Sequence, residues 1–68
     1  MNYNFVRDEL YQFVYNNKQI NLSQKQKGMG YLLIGVYKKQ ILEYISLKIS
    51  IEEIKEKFLK EIVILIRK

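Results

Sequence analysis

The sequence predicts an all-α fold, a small three-helix domain built on a long central helix and expected to be oligomeric. Three observations carry this. Apolar residues recur at helical spacing in three separate segments, two S-x-x-[EQ] boxes mark helix starts, and no proline interrupts the 68 residues. The unit is one domain, residues 1–68, with no repeat, low-complexity tract or linker.

In the first segment Tyr3, Val6, Leu10, Phe13 and Val14 share one face, and Asn4, Asp8, Gln12 and Asn16 lie opposite. Asn2 or Asn4 can cap its start. Asn16-Asn17 should end it, because asparagine readily takes the left-handed conformation that follows a helix. Ile20 and Leu22 alternate with polar neighbours and predict a short extended connector that tucks two side chains into the core.

Ser23 and Gln26 form the first capping box and open the central helix. Over Met29–Ile49 the strongest stripe is Ile34, Tyr37, Ile41 and Tyr44 with Ile45, and Leu32, Val36 and Leu47 make a second stripe on another side. Two apolar sides predict two neighbours. An unbroken helix from Ser23 to Ile49 would run about 40 Å, so a kink or break is expected near Gly28–Gly30, with Gly35 admitting a neighbouring backbone. The third helix starts at Ser50-Ile51-Glu52-Glu53, a capping box flanked by Ile49 and Ile54 as a hydrophobic staple. Ile51, Ile54, Phe58, Ile62 and Leu65 are its core stripe, and Glu53–Lys57 and Glu56–Lys60 are favourably ordered i,i+4 pairs. Val63, Ile64 and Ile66 overrun that stripe, which implies burial by another chain or a strand. The alternative fold is α+β, with strands at 31–37 and 62–66.

Composition bounds the chemistry. Without cysteine or histidine there is no disulfide, no thiolate and no zinc-ligand set, and no metal, cofactor or small-molecule substrate is expected. Ser23 and Ser50 serve as caps with no base to activate them, so the chain reads as no enzyme. The longest apolar run, Met29–Tyr37, is far short of the ~20 residues of a membrane span. The N-terminus lacks the pattern of a secretory signal, and a cytoplasmic protein is expected.

The net charge of +5 is concentrated. Residues 10–42 hold Lys18, Lys25, Lys27, Lys38 and Lys39 and no acid. These five are the candidate contacts to an anion or nucleic acid, with Ser23–Gly30 as a phosphate cradle and Tyr31 or Tyr37 for stacking. The same excess of lysine, isoleucine, asparagine and tyrosine suits an AT-rich coding sequence. Tyr11 and Tyr15, off the core stripe, join Val63, Ile64 and Ile66 as candidate partner-interface residues.

Leu22-Ser23-Gln24 resembles the start of the helix-turn-helix of phage-type repressors over those three residues, although Tyr31 stands where that motif has a small residue. In element order the chain is similar to ribbon-helix-helix proteins, with Lys18–Leu22 as the ribbon strand. The leading expectation is a small regulator or inhibitor that binds a protein partner or itself. Nucleic-acid binding through Lys18–Lys39 is the alternative, and attachment to an anionic membrane is a third.

Overall fold

Tyr3–Asn16 form α1 because Asn2 supplies the cap, its side-chain oxygen accepting the Phe5 N–H at 2.8 Å. The computed structural model describes residues 1–18 and 21–66, the side chain of Ile66 excepted. α2 (Gln24–Val36), α3 (Lys38–Ser46) and α4 (Ile51–Ile66) complete an all-α domain, with no strand among the described residues. The α+β alternative is overturned, since both segments it required are helical. Three helices become four. The ribbon strand is likewise not found among the described residues of 18–22, and Ile20 lies outside them; Leu22 is buried as expected.

Asn17 closes α1 in extended geometry, φ −65° and ψ 129°, rather than in the left-handed form expected of it. The capping box that opens α2 is complete: Gln26 N–H donates to the Ser23 hydroxyl, and the Gln26 side-chain oxygen accepts the Ser23 N–H at 2.9 Å.

The central helix divides at Tyr37, seven residues beyond Gly30. Tyr37 has φ −92° and ψ 19°, in the sparsely allowed bridge region. Its N–H still donates to Leu33 O and its carbonyl accepts the Ile41 N–H, each at 2.9 Å, so the chain re-enters helix at once. The cause is size joined to local weakness. A straight helix over 24–46 would measure about 34 Å, whereas the longest dimension of the whole fold is 31 Å. Gly35 and the β-branched Val36 are poor helix formers immediately before the break. Gly28 costs propensity too, but the capped first turns of α2 hold it in helix.

α3 ends in a Schellman motif. Lys48 takes the left-handed conformation at φ 59°, Lys48 N–H donates to Ile45 O, and Ile49 N–H donates to Tyr44 O. For a residue with a Cβ that geometry costs roughly 1–2 kcal/mol. It turns the chain so that Ser50 can cap α4, its hydroxyl accepting the Glu53 N–H at 3.2 Å.

The core is one cluster: Val6, Leu10 and Val14 from α1, Leu22, Ile34, Ile41, and Ile54, Phe58 and Ile62 from α4. α1 packs against all three other helices, as does α2, whereas α3 and α4 meet only marginally. The fold is therefore organised as much around its first helix as around the central segment. At Gly30 α1 and α2 pack closely, because a Cβ there would stand 3.1 Å from Val14 Cγ1. Gly35, expected to fill that role, has nothing within 4 Å of its Cβ position.

Candidate functional site

Two surfaces and one groove gather the residues singled out by the sequence. The first surface is the outer face of α2. Leu32 and Val36 are 73% and 74% exposed, and Leu47 beyond α3 is exposed as well. The second apolar stripe of the central segment thus points to solvent, and the expected second neighbour is not found among the described residues. Gly28 and Gly35 lie on the same side of α2, with open space where a Cβ would be. Lys25 and Lys39, both exposed, stand toward the two ends of this stripe.

The second surface is the seam of α1 with α2. Tyr11 and Tyr31 meet edge to face, with ring centroids 5.6 Å apart and planes at 64°. Lys27 Nζ stands 5.2 Å from the centroid of Tyr15, which is 62% exposed. Tyr11, Gln12, Tyr15 and Tyr31 line one shallow open depression. At the other end of α1, Lys38 Nζ stands 5.2 Å from the centroid of Tyr3. Candidates that the sequence assigned to separate roles, Tyr11 and Tyr15 for a partner and Lys27 for an anion, come together here.

The five lysines form no single patch. Lys25 and Lys27 are about 200° apart around the α2 axis, Lys27 and Lys38 lie over tyrosine rings, and Lys18 and Lys39 are exposed elsewhere. The Ser23 hydroxyl and the Gln26 side chain are committed to each other's backbone, which leaves them capping the helix rather than cradling phosphate. Near the C-terminus, Leu59, Lys60, Val63 and Ile64 line a second shallow depression. Ile64 is 54% exposed and Val63 is half-buried, while the side chain of Ile66 lies outside the described residues.

No family model, curated protein or solved structure matches this chain.

The groove follows from the slight contact between α3 and α4. Leu10, Ile41, Ile54 and Phe58 form its floor, and Tyr37, Tyr44, Lys57 and Glu61 its rim, around about 90 Å³. Ligand pockets for drug-sized molecules usually hold about 300 Å³ or more. Across the rim the Tyr37 hydroxyl donates to Glu61 Oε2 at 3.1 Å, and Lys57 Nζ stands 5.8 Å from the Tyr44 centroid. Lys57 is turned to Tyr44 rather than to Glu53, and Lys55 reaches Glu9 on α1 at 3.6 Å. The hydrogen bond to Glu61, and then its negative charge, raise the Tyr37 phenol above its ordinary 10.0. Because the folded value exceeds the unfolded one, the stabilisation is complete below the unfolded pKa and is lost as pH rises through the folded value. A titration of the Tyr37 ring followed by nuclear magnetic resonance should show its phenol ionising above the ordinary value, and Glu61→Ala should lower it. A late phenol that persists in the variant would assign it to another cause.

No group of three or more acidic, histidine or cysteine side chains is placed to hold a metal ion among the described residues, and no described helix is long and apolar enough to cross a membrane.

Proposed function

We propose that this chain is a non-enzymatic regulatory or inhibitory protein that works by binding another protein through the outer face of α2. The observation that supports this reading is the exposure of Leu32 and Val36 on one helix face. Two adjoining large apolar side chains left in water forgo burial worth about 1.5–3 kcal/mol each. Beside them, Gly28 and Gly35 each give up as much as ~1 kcal/mol of helix propensity relative to alanine. Neither glycine has a positive φ or a close neighbour in the fold that would require it. A flat, apolar, partly glycine-lined face is suited to the close approach of a partner helix.

Charge bears on the choice between a different protein and a second copy. Pairing this face with itself would bring Lys25 and Lys39 near the same lysines of the other copy, a like-charge arrangement that weakens association. An acidic, amphipathic partner suits it better. The test uses tagged protein and host lysate, comparing wild type with the double variant Leu32→Asp plus Val36→Asp. Surface changes of this kind shift stability by only about 0.5 kcal/mol each, so the melting curve should be nearly preserved while recovery of the partner is abolished. Equal recovery by the two proteins would overturn the reading, and sedimentation of the pure chain reports whether the partner is a second copy.

A further inference from the structure

We infer that the seam of α1 with α2 is a binding site for single-stranded nucleic acid, with bases stacking at Tyr11, Tyr15 and Tyr31 and phosphates held by Lys27 and Lys38. This goes beyond the protein-binding reading and uses a different side of α2, since Leu32 lies about 100° around the axis from Tyr31.

Spacing is the first support. Tyr3, Arg7, Tyr11 and Tyr15 follow one another at four-residue intervals along α1. Successive members drift about 40° around the helix and together span about 18 Å. The row begins half-buried at Tyr3 and Arg7 and becomes exposed at Tyr11 and Tyr15. Cations meet it at both ends, Lys38 at Tyr3 and Lys27 at Tyr15, while Arg7 within the row is paired with Asp8. Alternation of rings with cations is what a strand of stacked bases and regularly spaced phosphates requires, and stacking tolerates any base because each has a π-face.

The local charge agrees. The nearest acid on that side of α1, Asp8, is bridged by Arg7 at 3.2 Å. Gln12 and Asn16, joined by a side-chain hydrogen bond at 3.3 Å, add neutral polar groups at the exposed end. A duplex offers the seam less, because its bases are already stacked on one another.

The test is fluorescence anisotropy with labelled oligothymidylate and oligouridylate, a duplex of equal length and anionic vesicles as separate arms. Both single strands should bind and quench tyrosine fluorescence, with the duplex much weaker; the two strands separate DNA from RNA preference. Two phosphate contacts on a single strand predict that affinity falls roughly 7-fold between about 50 and 200 mM salt. Tyr15→Ala should weaken binding by roughly 5- to 150-fold, whereas Tyr15→Phe, which keeps the ring, should bind as wild type does. Lys27→Gln should flatten the salt dependence. Tyr15 is exposed, so folding of the alanine variant is checked by its helical circular dichroism, and Lys27→Gln is an independent second variant. The inference is overturned by absence of binding at low salt, by equal affinity for the duplex, by binding that Tyr15→Ala leaves intact, or by association with the vesicles alone. None of these outcomes involves Leu32 or Val36, so the protein-binding reading stands or falls separately.

Discussion

Replacing Leu10 by alanine is expected to remove about 2–5 kcal/mol of stability, the largest effect of any single change considered. Leu10 is fully buried at the middle of α1, the helix that touches each of the others, and it also floors the groove between α3 and α4. The loss combines the transfer energy of the removed carbons with a cavity. That cavity would adjoin the existing space of about 90 Å³, and surrounding structure relaxes into such a space only in part. For a chain of 68 residues the whole stability is roughly 3–10 kcal/mol. The variant should therefore unfold at much lower urea with an unchanged slope, or be largely unfolded in buffer. A midpoint within a few tenths molar of wild type would show that the core is not centred on α1.

Gly30→Leu should be the second most damaging change. The Cβ position of Gly30 is 3.1 Å from Val14 Cγ1, 3.4 Å from Val14 Cγ2 and 3.6 Å from Ile62 Cδ1. Val14 is fully buried, and a β-branched side chain in a helix is stiff about χ1, so it cannot swing aside. Forcing the remaining leucine carbons between α1 and α4 costs at least about 1–3 kcal/mol. Gly30→Ala is the intermediate case, in which a propensity gain of up to ~1 kcal/mol opposes a tight contact. Gly28→Ala and Gly35→Ala meet no obstacle and should each stabilise the fold by about 0.5–1 kcal/mol. Thermal melts of the four variants give the ranking. If Gly30→Leu melts with Gly28→Ala, α1 and α2 do not approach as closely as described.

The same glycines mark how far a one-dimensional reading reaches. Sequence alone attaches close packing to Gly35 and a break to Gly28–Gly30. Which glycine has a neighbour depends on the position of Val14, sixteen residues upstream of Gly30. The division at Tyr37 was equally hidden, because Tyr37 itself is an ordinary helix residue and the length limit belongs to the whole fold. Lys48 in the left-handed region had no signal either, since nothing in its side chain favours φ 59°.

The candidate surfaces were partly legible. Tyr11 and Tyr15 fall off the core stripe by spacing, and Ile64 falls on the polar side of the last helix; all three are exposed. Leu32 and Val36 read as buried because an apolar stripe implies a neighbour without saying which chain provides it. The lysines read as one basic region because they are close in sequence, but helical geometry distributes Lys25, Lys27, Lys38 and Lys39 around α2 and α3, and Lys18 lies before both. Arg7 and Tyr3 were not recognised as companions of Tyr15, since the cations that complete their row come from α2 and α3.

What residue order carries here is what acts within a turn or two of helix: the Ser23 and Ser50 caps, the apolar faces of the first and last helices, and a preference for the all-helical class over α+β. Side-chain hydrogen bonds to nearby backbone and 3.6-residue periodicity are local, so they are written in neighbouring residues. Where the long helix divides, which glycine admits another helix, and which apolar stripe stays in water were decided by the meeting of distant segments. Those outcomes depend on total volume and on which side chain arrives opposite which, and no window of sequence contains both partners.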